Sequence, residues 1–165
     1  MKAVFVAEAK SESETVKVVV KFAHTYNEDA HELLANLKPS QAPKLRYCKF
    51  ELTVGMWAVV MDYVEGPGAD GILTGTDLTE SLRVALKKLH SGGFVFGDLR
   101  SPNVLVVGKK VMLIDFDWCG KVGTARYPSD IMLTDGMWHP EVQRGGLIEQ
   151  AHDEYHFRKL TGEEL

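Results

Sequence analysis

The sequence is poor in several things, and each shortage narrows its class. Only two cysteines, Cys48 and Cys119, occur in 165 residues, far apart and without C-x-x-C spacing. A disulfide framework and a cysteine zinc site are excluded on that count, and reduced thiols are expected. No long uninterrupted apolar run is present, so no membrane-spanning helix is expected. The opening Met1-Lys2-Ala3-Val4-Phe5-Val6-Ala7 meets an acid at Glu8, too early for the apolar core of a secretory signal. Basic runs are missing as well. Nineteen Lys and Arg stand against 23 Asp and Glu, a formal net charge of -4 spread along the whole length. Such a chain lacks the basic track that follows a nucleic-acid backbone. The expectation is an intracellular, cytoplasmic protein that works without nucleic acid or membrane.

What is present is the balance of an ordinary globular domain, 45% hydrophobic and 25% charged, with enough chain for a real core. Residues 3–10 and 15–22 are β-prone runs around Ser11-Glu12-Ser13-Glu14, which is of hairpin-loop length. Thr25 and Glu28 have capping-box spacing. Ala30, Leu33, Leu34 and Leu37 then repeat at i, i+3, i+4, i+7, predicting an amphipathic helix. Residues 45–53 and 56–62 flank Val54-Gly55 and read as a second hairpin. Glu65-Gly66-Pro67-Gly68 breaks periodicity and marks a hinge.

Beyond it, Asp77 and Glu80 predict the cap of a helix whose apolar face is Leu78, Leu82, Ala85, Leu86 and Leu89, ending at Gly92-Gly93. Short strands follow over 104–107 and 111–114, joined by Gly108-Lys109-Lys110. Residues 119–148, rich in Gly, Pro and polar side chains, predict a long ordered loop region. A helix over 153–160 closes the chain.

The chemistry is concentrated in Phe96-Gly97-Asp98-Leu99-Arg100-Ser101-Pro102-Asn103 and, one strand pair later, Leu113-Ile114-Asp115-Phe116-Asp117. Phosphoryl transfer needs a carboxylate to orient a hydroxyl, and hard oxygen ligands for magnesium. Asp98, Asn103 and Asp115 can supply those parts. Taken singly, Asp98 and Asn103 could be a turn pair satisfying backbone amides, and a lysine such as Lys21 is more often an exposed strand lysine. The combination favours function.

This D-x-x-x-x-N loop followed by a D-F-x motif resembles the protein-kinase-like superfamily. The closest resemblance is to fungal kinase-like domains, carried by Gly97 to Asn103, Leu113 to Gly120, Arg126-Tyr127-Pro128 and His152-Asp153. The resemblance implies a single α+β domain over 1–165 with a bilobal kinase-like fold: a small antiparallel-sheet N-lobe (1–65) and a short, mainly helical C-lobe (66–165). It implies ATP and Mg2+ as cofactors and transfer of the γ-phosphoryl group to a hydroxyl of a protein or small molecule. Asp98 is then the catalytic carboxylate, Arg100 the cation near the transferred group, and Asn103 and Asp115 the magnesium ligands. Val18-Val19-Val20-Lys21 is similar to V-A-I-K, giving Lys21 to the phosphates. Among the helix acids Glu28, Asp29 and Glu32, the reading leans to Glu28 as its partner. Backbone groups near Asp62 and Val64 fall where adenine is held.

Three departures stand beside this. No glycine-rich loop or strand precedes the Lys21 strand pair, so the domain reads as truncated. Phe96-Gly97 replaces His-Arg before the aspartate, which removes a docking point for a phosphorylated loop. Asp117 replaces the D-F-G glycine and is expected to be a solvated or capping carboxylate. The alternative reading is a catalytically inactive pseudokinase or truncated interaction module. His152 and His156, four apart without a metalloprotease glutamate, are expected on a helix surface, and His152-Asp153 is expected to tie that helix to the catalytic loop. Trp118, Tyr127 and Trp138 are expected as core and loop anchors.

Overall fold

The computed structural model describes residues 3–10, 14–69 and 71–165. The predicted turn over 11–14 therefore lies largely outside the described residues. Strand β1 (Ala3–Lys10) pairs antiparallel with β2 (Thr15–Ala23). Helix α1 (Glu28–Ala35) follows, and then the hairpin β3 (Leu45–Glu51) and β4 (Met56–Asp62). The sheet order is β1-β2-β4-β3, with Lys21 opposite Val59. Gly55 turns the hairpin at a φ of 65°, a conformation that glycine adopts without steric cost.

Both predicted caps move. Asn27, not Thr25, caps α1, its side chain accepting the Ala30 N–H at 2.9 Å, because the Thr25 hydroxyl is taken by the Asp117 carbonyl at 2.6 Å. Helix α2 (Thr76–Ser91) starts from Gly75 without a side-chain cap, so Asp77 lies inside its first turn, where a carboxylate still suits the helix dipole. Leu82, Ala85, Leu86 and Leu89 are fully buried, as their spacing predicts, and each leucine contributes about 1.5–3 kcal/mol of burial.

The segment predicted as a hinge is held against the strand at Val104–Val107. Pro67 O accepts from Val106 N at 2.9 Å, and a side chain at Gly66 would collide with Val106 O at 2.5 Å. Past α2 come β5 (Phe94–Val95), a 3-10 turn at Ser101–Asn103, the hairpin β6 (Val104–Val107) and β7 (Lys110–Leu113), β8 (Gly120–Lys121) paired with β5, and α3 (Gln150–Thr161). The two-residue strands are too short to show a period and were not predicted.

One core joins α1, α2, β7 and α3. A second, built from Val95, Tyr127, Ile131, Trp138, Val142 and Ile148 with Trp118 against it, consolidates the loop region. The aromatic anchors therefore sit as expected. Both cysteines are free and buried. No described helix is long and apolar enough to cross a membrane.

Candidate active site

Strand β5 delivers the chain into a loop whose backbone is fixed before any side chain acts. Phe96 is fully buried and meets the Phe116 ring edge-on at 5.4 Å. Gly97 follows at a φ of 80°, where a Cβ would lie 2.9 Å from Ile148 Cδ1. Glycine is required here by space as much as by conformation. The Phe96 and Gly97 N–H groups, at 2.7 and 2.8 Å, both donate to the carboxylate of Asp153, which is 1% exposed and also takes His90 Nε2 at 3.0 Å. Of the His152-Asp153 pair, Asp153 is the residue that ties α3 to this loop. His152 and His156, however, are buried at 2% and 4% rather than lying on a surface, because the 127–142 segment folds over them.

Asp98 is 5% exposed, and both of its carboxylate oxygens are engaged. Arg100 grips it in fork fashion, Nε to Oδ1 at 2.5 Å and Nη2 to Oδ2 at 2.9 Å, while Asn103 Nδ2 donates to Oδ2 at 2.8 Å and to the Asp98 carbonyl at 2.9 Å. A planar guanidinium suits that bidentate grip better than an ammonium would. The guanidinium also lies 5.0 Å from the Trp138 ring centre and 5.9 Å from that of Trp118. Arg100, expected near the transferred group, is paired with Asp98 in this structure.

The Asn103 carbonyl accepts Ile114 N at 3.0 Å, which links the loop to the next segment. There Asp115 sits at a φ of 71°, a strained conformation for a non-glycine residue and one that clusters at functional sites. Its Oδ1 meets Lys21 Nζ at 2.6 Å. Asp117 pairs with the same ammonium, which is 4% exposed. Asp117 is therefore an internal ion-pair partner, not the solvated or capping carboxylate expected. Burial first, then the neighbouring Asp115, raise its pKa, against the opposing pull of Lys21.

Glu28 is a second correction, since the described ion pairs of Lys21 go to Asp115 and Asp117 instead. Asn27 N donates to Phe116 O at 3.2 Å, docking the start of α1 directly on the Asp115–Asp117 segment. Glu28 and Glu32, one helical turn apart, act instead on Cys48, whose thiol is raised to about 12 chiefly by burial and then by these two acids. At the end of β4, Asp62 N is committed to Lys44 O at 2.9 Å and Tyr63 N to Lys17 O at 3.0 Å. The Asp62 N–H is thus unavailable to a ligand.

Sequence reasoning missed His31. Its ring stacks on Phe116 at 4.6 Å and 10°. Pro43 O can only accept, so Nε2 carries the proton at 2.7 Å and Nδ1 receives the Tyr26 hydroxyl at 2.6 Å. Burial lowers its pKa to about 4, with Lys21 adding to the fall and the Pro43 bond opposing it. The unfolded chain then binds more protons than the folded one between that value and the ordinary histidine value of about 6.5. This contribution is complete above that window and is lost as pH falls through it. In urea unfolding, His31→Leu is expected to lose less stability than the wild type between pH 7 and pH 4.5. Equal losses would place the acid sensitivity elsewhere.

No protein-family model matches the chain. Curated relatives do. The serine/threonine-protein kinase STE20 of Yarrowia lipolytica is 31% identical over 97 residues, covering 53% of this chain and 8% of that protein. The KEOPS complex subunit Bud32 of Pyrococcus abyssi is 34% identical over 73 residues, covering 41% of this chain and 33% of that one. The chain thus spans a third or less of the length of these relatives. Among solved structures, the Cydia pomonella granulovirus kinase PK-1 shares the fold at a TM-score of 0.69 and 22% identity, over 99% of this chain and 67% of its own.

Proposed function

We propose that this chain, which belongs to the protein-kinase-like superfamily, binds magnesium–ATP and passes its γ-phosphoryl group to a hydroxyl of a protein or small molecule. In this reading residues 1–65 are the N-lobe and 66–165 the C-lobe of one bilobal domain. The observation that carries it is convergence. Lys21 from β2 pairs with Asp115 after β7 at 2.6 Å, Asn103 and Asp98 from the loop after β5 pair at 2.8 Å, and the Asn103 carbonyl takes the N–H of Ile114, the residue before Asp115, at 3.0 Å.

The donor set fits the cofactor. Asp115 and the Asn103 amide oxygen are hard ligands suited to magnesium, and the Asn103 amide nitrogen is already fixed by Asp98. Bound magnesium would neutralise phosphate charge as it builds. Lys21 would turn from the carboxylates to the phosphates. The Asp62 carbonyl and the Val64 backbone would hold adenine. Asp98, aimed by Arg100 and Asn103, would orient the acceptor hydroxyl and take its proton.

A specific observation favours a second reading, an inactive pseudokinase. Both Asp98 oxygens are occupied internally, by Arg100 and Asn103. The two readings separate in one assay of phosphate transfer from labelled ATP to protein and small-molecule hydroxyl acceptors. Asp98→Asn is expected to slow transfer by about 100-fold or more with unchanged ATP affinity. Wild-type chain that binds ATP but transfers to no acceptor selects the second reading.

A further inference from the structure

Strand β1 is an edge of the four-stranded sheet, paired with β2 on one side and with no strand on the other among the described residues. Edge strands usually carry charges or prolines that discourage a further strand from adding. Over Ala3 to Ala7 this one has neither. Val4, Phe5 and Val6 are each more than half exposed. Because strand side chains alternate, Phe5 stands on one face of the sheet with Ala3 and Ala7, and Val4 and Val6 stand on the other. Apolar surface thus flanks the open edge on both faces.

A second observation lies in the order of the residues. Lys2-Ala3-Val4-Phe5-Val6-Ala7-Glu8 is centred on Phe5, and its apolar residues read the same in both directions, with a base at one end and an acid at the other. Such a strand is complementary to itself when turned antiparallel. With Phe5 opposite Phe5 of a second copy, Val4 meets Val6, Ala3 meets Ala7, and Lys2, just outside the described residues, meets Glu8. Every opposed pair is then apolar with apolar or base with acid, the combinations that stabilise neighbouring strands. Neighbouring registers lose this. Setting Phe5 against Val6 brings Glu8 to Ala3, and setting Val6 against Val6 brings Glu8 to Val4 and Lys2 to Lys10. Slips in the other direction leave Lys2 against Ala7 or Val6. Glu8 has room for a cation from a partner, because within its own chain it meets Lys10 only at 3.9 Å, with both side chains mostly exposed.

We propose that β1 is a dimerisation edge, to which a second copy of this chain adds its own β1 antiparallel, about a two-fold axis at Phe5. The two four-stranded sheets then run into one sheet of eight strands. A two-fold contact closes on itself, so assembly stops at the dimer. Charge complementarity selects the second copy as the occupant, since the acid and the base stand where each meets its opposite on another β1. A ladder this short is smaller than the roughly 1,600 Å² of a standard interface, so a dissociation constant in the micromolar range is expected.

The test is sedimentation velocity of the full chain, without nucleotide, from low to high micromolar concentration. A monomer–dimer equilibrium with no larger species is expected. Phe5→Glu, which opposes two carboxylates at the centre of the ladder, should weaken dimerisation at least about ten-fold in a variant with native circular dichroism. Lys2→Glu and Glu8→Lys should each weaken it several-fold by opposing like charges. The double variant Lys2→Glu, Glu8→Lys restores opposite charges and should recover the wild-type affinity. Should Phe5→Glu misfold, these exposed charge reversals carry the test alone. A chain that stays monomeric would leave the edge to another polypeptide and overturn the pairing. Assembly that continues past the dimer, a folded Phe5→Glu that dimerises undiminished, or a double variant no tighter than either single one would overturn it as well.

Discussion

Asp115→Asn is expected to weaken magnesium-dependent ATP binding by about 10- to 100-fold, the worth of one lost contact to a charged group. Asparagine is the informative replacement because it tolerates the φ of 71° found at this position, whereas alanine would add backbone strain to the loss of charge. Lys21 keeps Asp117 as a partner, so the buried ammonium is not orphaned and the fold should survive. The effect should be confined to titrations containing magnesium. Undiminished magnesium–ATP affinity in the folded variant would remove Asp115 from the site.

Asp153→Ala is expected to cost about 3–5 kcal/mol in urea unfolding, as breaking one side of a buried charged network does. Its carboxylate accepts Phe96 N, Gly97 N and His90 Nε2, and alanine leaves two buried backbone donors with nothing to meet. That is a large share of the stability of a small domain. Asp153→Asn, which keeps one acceptor oxygen, should fall between. A loss below about 1 kcal/mol, the ordinary effect of an arbitrary substitution, would mean that α3 does not hold the Asp98 loop.

Local periodicity made much of the fold legible. The leucines of α2 recur at helical spacing and are buried on one face, and the β3–β4 hairpin turns at Gly55 where the pattern breaks. Where competition between partners decides, sequence spacing was insufficient. Thr25 and Glu28 have the spacing of a cap, yet the Thr25 hydroxyl goes to Asp117 and Asn27 caps instead. Helix position points to Glu28 for Lys21, but two carboxylates nearly a hundred residues away in sequence reach the ammonium.

The candidate site was partly legible for a related reason. The D-x-x-x-x-N and D-F-x spacings named Asp98, Asn103 and Asp115, which the fold brings together. The grip of Arg100 on Asp98 and the stack of His31 on Phe116 depend on side-chain packing that no spacing encodes. His152 and His156 have the i, i+4 pattern of an exposed face and are buried only because a loop without periodic signal closes over them.

The central claim, a working magnesium-dependent nucleotide cleft, is tested most directly by melting the purified wild-type chain with ATP, with and without magnesium. A ligand that binds only the folded state raises its melting temperature, by the equivalent of about 2.7 kcal/mol at a hundred times its dissociation constant. A shift that requires magnesium and is lost in Asp115→Asn is the predicted result. A folded chain whose melting temperature does not move at millimolar ATP, with or without the metal, would contradict it.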